Sequence, residues 1–109
     1  VQANTSYTFT SIWIDDNKDL IEAVDPKIEI LHYGNGIRNY DLPPTQMVRR
    51  ERGIYDYTMY VSMEDFSFDL DYLVLYSAKD SSNVLGTIED SFRIYLPSTN
   101  EGISTSTVR

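Results

Sequence analysis

The chain has 109 residues, 41% of them hydrophobic and 13% aromatic, with a formal net charge of −8 and no cysteine. One domain fits that length and should bury roughly two-thirds of the surface its unfolded form exposes. The missing cysteine excludes disulfides, thiolate metal sites and cysteine nucleophiles; the acidity works against nucleic-acid partners; no apolar run approaches the roughly 18 residues of a membrane span.

The chain opens on Val1, with neither Met nor a signal-peptide pattern, and is therefore expected to be a processed product or a domain of something longer. Tyr7 to Ile14 reads as a first strand, with Tyr7, Phe9 and Trp13 on one side and Thr8, Thr10, Ile12 and Ile14 on the other. Asp15-Asp16-Asn17-Lys18-Asp19 breaks it with residues that bond their own backbone in turns. Leu20 to Val24 resumes as a short extended piece that Asp25-Pro26 ends.

Lys27 to Tyr33 is the next strand, with Ile28 and Ile30 on one face and Leu31 and Tyr33 on the other. Gly34-Asn35-Gly36 supplies residues that tolerate positive φ, so a hairpin into Ile37 to Asp41 follows. Leu42-Pro43-Pro44 lacks two ladder donors and marks a loop or a crossing between sheets, and Gln46 to Arg49 reads as a short edge strand. Gly53 opens a strand whose Tyr55, Tyr57, Met59 and Val61 share the better core face.

Ser62 to Asp69 is expected to be a loop with one helical turn. Tyr72 to Ala78 is the most apolar strand and should be central, with Tyr72, Val74 and Tyr76 opposite Leu73 and Leu75. After a turn at Lys79 to Asn83, Val84 to Leu96 forms a long last strand with Ile88, Phe92, Ile94 and Leu96 inward. Residues 1–97 then make one domain, and residues 98–109, mostly serine, threonine and other polar groups, a linker or tail. The fold class this implies is all-β, an immunoglobulin-like antiparallel β-sandwich of about seven strands, with a small barrel as the alternative.

Several residue groups could carry chemistry. His32 is the sole histidine, and its position beside a hairpin reads as a strand-end surface residue. Asp15, Asn17 and Asp19 have the alternate oxygen donors of a calcium loop, but Leu20 stands where that loop needs Gly and Pro26 where it needs a bidentate Glu. Asp65, Asp69 and Asp71, and Glu89 with Asp90, would have to converge in a cleft to act as paired carboxylates; solubility and edge repulsion explain them more simply. Arg49-Arg50-Glu51-Arg52 reads as a solvated turn or edge, and Asn4-Thr5-Ser6 matches the N-glycosylation acceptor pattern. Tyr33, Tyr40, Tyr60 and Tyr95 are candidates for outward tyrosines that stack sugars or form protein contacts.

The succession Tyr7-Thr8-Phe9-Thr10-Ser11-Ile12-Trp13-Ile14, Asp25-Pro26-Lys27-Ile28-Glu29-Ile30, Gly53-Ile54-Tyr55-Asp56-Tyr57 and Tyr72-Leu73-Val74-Leu75-Tyr76-Ser77-Ala78 resembles the small immunoglobulin-like domains of tailed-bacteriophage virion proteins. Head decoration, fibre and neck or tail accessory proteins carry such domains. The resemblance spans Tyr7 to Leu96 and implies a non-enzymatic structural or adhesive role with no catalytic residue, metal or cofactor. Its implied partners are other virion or surface-assembly proteins, with host-surface glycans as a further contact, and its implied location is the virion, or otherwise the cell exterior. A carbohydrate-binding module is the alternative, and it requires several coplanar outward tyrosines; a small hydrolase using the acidic clusters is the third reading.

Overall fold

The computed structural model describes residues 1–34, 36–68 and 70–95. Its strands are β1 (Thr5–Ile12), β2 (Val24–Gly34), β3 (Ile37–Gln46), β4 (Val48–Glu51), β5 (Ile54–Val61), β6 (Tyr72–Lys79) and β7 (Leu85–Phe92). They form a three-stranded sheet in the order β1-β5-β4 and a four-stranded sheet in the order β3-β2-β6-β7, with every strand pairing antiparallel.

This is an immunoglobulin-like sandwich. In that architecture one sheet carries strands A, B, E and D and the other C′, C, F and G. Chain order and neighbours equate β1, β5 and β4 with B, E and D, and β3, β2, β6 and β7 with C′, C, F and G. Among the described residues no strand lies at the A position, so β1 is an edge.

Side-chain alternation builds the interior. Tyr55 and Val61 of β5 are buried, with Tyr57 and Met59 packed partly against the core, as the alternation predicts. On β6 it is Tyr72, Val74, Tyr76 and Ala78 that turn inward, and this strand lies between β2 and β7. Ile28 and Ile30 of β2, Phe9 of β1 and Met47 complete the middle of the core. Burying each such side chain contributes about 1.5–3 kcal/mol. An aromatic run caps one end: Tyr72 stacks on Phe92 at 5.3 Å, Phe66 meets the Tyr72 ring edge-on at 5.2 Å and Phe9 lies 5.5 Å from Phe92.

Four expectations need correction. Asp25-Pro26 does not end a strand: β2 begins at Val24 and runs through both residues, with Asp25 at a φ of 58° and a register shift between Val24 and Lys27. A bulge absorbs the proline, whose missing donor the ladder then does not need. Pro43-Pro44 likewise stays inside β3, which as an edge strand has one side free of ladder bonds, and the register on β2 shifts between Ile28 and Ile30 to admit it. The crossing between sheets falls at Met47, between β3 and β4, and laces that side of the sandwich shut. Finally, β7 stops at Phe92 rather than continuing. Ile94 is buried nonetheless, and Leu96 and the segment 98–109 lie outside the described residues.

The remaining connections follow their sequence signals. Gly36 has the positive φ, 74°, that the β2–β3 hairpin requires. The Phe66 N–H donates to the Ser62 carbonyl at 3.0 Å, giving the single helical turn expected there and placing Phe66 in the core.

Candidate functional site

An apolar concavity lies at the end of the sandwich where β1 gives out. The Trp13 N–H donates to the Gly53 carbonyl at 2.8 Å, extending the β1–β5 ladder one step. Ile14 bridges Leu20 across the Asp15–Asp19 turn, and the Ile21 N–H returns to the Trp13 carbonyl at 3.1 Å. The indole is thereby held across the sandwich against β7, where a Cβ on Gly86 would stand 3.2 Å from Trp13 Cζ3. Its Nε1–H donates to Ser11 Oγ at 3.1 Å, which satisfies the one polar atom of the ring.

Around this indole is a cleft of about 170 Å³, walled by Ile21 and Ala23 on one side and by Ala78 to Asp80 and Val84 to Gly86 on the other. The β6–β7 turn that carries Val84 and Leu85 is fixed by Asp80, whose Oδ1 accepts the Ser82 and Val84 N–H groups at 2.8 and 2.9 Å. Both apolar side chains are therefore presented on an ordered turn, each 61% exposed. Ile12, Ile14 and Val24 are also exposed large apolar residues of the neighbouring segments. A rimmed apolar surface of this kind is chemistry for contact with another apolar surface. The sequence reading missed this site; its signal was a tryptophan just beyond a strand, with Val-Leu-Gly following a turn.

The predicted site residues are dispersed. Asp15 Oδ1 accepts the N–H groups of Asn17 and Asp19 at 2.9 and 3.0 Å, so the acidic loop is a self-bonded turn with Lys18 at a φ of 66°. Asp65 is exposed, Asp71 is tied to Arg93, and Asp69 lies outside the described residues. Among the described residues no three acids or histidines are grouped to hold a metal ion. The hydrogen bonds from Arg93 hold the Asp71 carboxyl below the usual carboxylate range.

The arginine cluster lies on and beside edge strand β4, and its members have partners within the chain. Arg49 binds Glu22 with Nε at 3.1 Å and Nη2 at 2.5 Å, Arg50 binds Asp56 at 2.8 and 2.9 Å, and Arg52 Nε reaches the Leu20 carbonyl at 3.0 Å. Arg49 lowers the pKa of Glu22; Arg50, with Thr10, lowers that of Asp56. These pairs brace a sheet surface and the segment leading into β2.

His32 is not the surface residue its position suggested. It shares the inward face of β2 with Ile30, its Nδ1 lies 2.7 Å from Asp41 Oδ2, and its ring meets Tyr72 edge-on at 5.7 Å. The pair sits between β2 and β3, with side-chain exposures of 21% and 11%. Neighbouring apolar residues predicted a face for His32 no better than they did for Leu31, which is buried although it lies on the outward side, opposite Tyr40 and Leu73.

Of the outward tyrosines, Tyr33 and Tyr40 share the outer face of the β2–β3 hairpin, with the Arg38 guanidinium 5.3 Å from the Tyr40 ring centre. Tyr60 belongs to the other sheet, and Tyr95 follows β7 in a bridge to Gln2. Glu89 and Asp90, adjacent on β7, point to opposite faces. Asn4 of the glycosylation pattern is exposed and holds a φ of 55°. No protein-family model, curated protein or solved structure matches this chain.

Proposed function

We propose that this sandwich is a non-enzymatic structural or adhesive module of a surface assembly, in the manner of the phage virion domains its strand pattern resembles. The observation that carries the reading is the Trp13 cleft with Val84 and Leu85 on its rim, an ordered apolar surface left facing solvent in a chain of net charge −8. Exposed apolar groups on a fixed turn cost solubility and are retained where a partner covers them. The acids supply the complementary property, keeping unassembled copies apart.

The test is fractionation of particles from the source on a density gradient, with an antibody raised against the purified chain. Assembly predicts the chain in the particle fraction at constant stoichiometry through successive gradients. Recovery only in the soluble fraction would contradict it. Tyr33 and Tyr40 on one face support the glycan-binding alternative, while Tyr60 and Tyr95 on other surfaces weigh against it. Glycan-array binding abolished by Tyr33→Ala and Tyr40→Ala would decide for that alternative.

A further inference from the structure

The Trp13 cleft has a size, a lining and a charge, and each narrows what fills it. Ala23, Ala78 and Gly86 stand on its walls at positions where larger side chains would close it. The space left, about 170 Å³, is close to the roughly 150 Å³ of an apolar cavity that takes up one benzene ring. Trp13 is only partly buried, so its ring supplies an aromatic wall. An edge-to-face or offset ring contact there is worth more than aliphatic contact of equal area. Aromatic anchors seated in pockets are also the side chains that dominate protein contacts.

Charge sets the flanks of that side chain. Trp13 and Ile21 are bonded at the base of a hairpin whose tip is Asp15 to Asp19, with Ile14 bridging Leu20 between them. The tip begins two residues beyond the cleft wall, about 7 Å along an extended chain. That is inside the Debye length of about 8 Å at physiological salt. Asp15, Asp16 and Asp19 are exposed there beside Lys18, while Lys79 and Asp80 offset one another on the β6–β7 wall. Glu22, next to Ile21, is held by Arg49. The mouth of the cleft is therefore negative, with three carboxylates against one ammonium group at the tip. The described ends of the chain lie elsewhere, since Tyr95 bridges Gln2 and bonds Val1 beyond the opposite ends of β1 and β7.

We propose that the occupant is one aromatic side chain of a partner protein, on a segment that carries lysine or arginine on either side of it. The ring fills the cleft against Trp13, and the flanking cations lie toward the acidic turn. A second copy of this chain is disfavoured as the source by the mutual repulsion of two chains of net charge −8. The inference rests on the assembly reading of the cleft and adds the chemistry of the partner's contact residue.

The test uses the full chain and four blocked tripeptides, acetyl-Lys-Phe-Lys-amide and its Lys-Leu-Lys, Lys-Ala-Lys and Glu-Phe-Glu counterparts, titrated at low salt. Trp13 is the sole tryptophan, so its emission and its indole N–H resonance report on the cleft. Lys-Phe-Lys should move both saturably, and Lys-Ala-Lys should move neither. Lys-Leu-Lys should bind severalfold more weakly, and Glu-Phe-Glu about fivefold or more weakly. The preference for lysine flanks should vanish in about 1 M salt. It should vanish also in an Asp16→Asn, Asp19→Asn chain, where both substituted side chains are exposed. No response of Trp13 to Lys-Phe-Lys, or an equal response to Lys-Ala-Lys, would overturn the proposal. Leucine equal to phenylalanine would overturn the aromatic assignment, and equal affinity for Lys-Phe-Lys and Glu-Phe-Glu at low salt would overturn the charge assignment. Particle fractionation reads the assembly role whatever fills the cleft, so failure of the one is distinguishable from failure of the other.

Discussion

The phenol oxygen of Tyr55 lies 2.8 Å from the backbone nitrogen of Ala23, thirty-two residues earlier in the chain. The same hydroxyl lies within hydrogen-bond distance of Glu22 and of the Ala23 carbonyl. A core side chain of β5 thus fixes the segment between the Asp15 turn and β2, and Ala23 is one wall of the Trp13 cleft. Tyr55→Phe keeps the ring and removes the anchor, leaving a half-buried N–H unsatisfied. Urea denaturation should register a loss of about 1–2 kcal/mol. Trp13 fluorescence should shift as its wall loosens.

Gly53 holds a φ of 77°, and a Cβ there would stand 2.9 Å from the Trp13 carbonyl oxygen and 3.0 Å from the Leu20 side chain. Gly53→Ala combines positive-φ strain with a backbone contact that cannot yield. The expected cost is about 1–3 kcal/mol. Equal thermal midpoints for the variant and the parent would show that the β4–β5 turn is not packed against Trp13 as described.

Burial, with a contribution from the Asp90 carboxylate, pushes the Tyr76 hydroxyl up to about 12. A tyrosine in the unfolded chain ionises near 10. Because the folded pKa is the higher, this contribution to stability is fully present below about pH 10 and is lost as pH rises toward 12. Denaturation midpoints should fall between those values, and the fall should be shallower in Tyr76→Phe. A spectrophotometric titration would show one late-ionising tyrosine fewer in that variant.

At the acid end, Asp56 has the opposite sign. Hydrogen bonds from Arg50 and Thr10 hold its pKa below the usual carboxylate value, so it stabilises the fold above that value and the contribution fades as pH falls through the folded pKa. Asp56→Asn should lose stability at pH 7 and show a smaller further loss below about pH 4 than the parent. The pair is partly exposed, so the effect at pH 7 should be modest and should shrink in high salt.

Strand-level structure was legible where one face is buried and the other is not. Tyr55, Tyr57, Met59 and Val61 alternate with more exposed residues, and hydrophobic period alone assigns them. The path of β2 through Asp25-Pro26 was not legible, because a bulge is decided by what the partner strand offers, and that partner, β6, lies about fifty residues away in sequence. His32 was misplaced because a polar side chain turns inward where a distant residue, here Asp41, can satisfy it. The Trp13 cleft was invisible for a related reason. It exists because β1, the Asp15–Asp19 turn and the β6–β7 hairpin end at the same place, and only the sheet order brings them together.

The proposed assembly role places the contact on the apolar rim of the Trp13 cleft. Its most direct test compares the parent chain with Val84→Lys, Leu85→Lys in equilibrium binding to purified particles, after equal urea midpoints have shown that both fold alike. These side chains are exposed, so the substitutions should leave stability within about 0.5 kcal/mol. Binding should weaken by about a hundredfold or more, as expected when charges are forced into an apolar contact. Unchanged binding by the doubly substituted chain would contradict it.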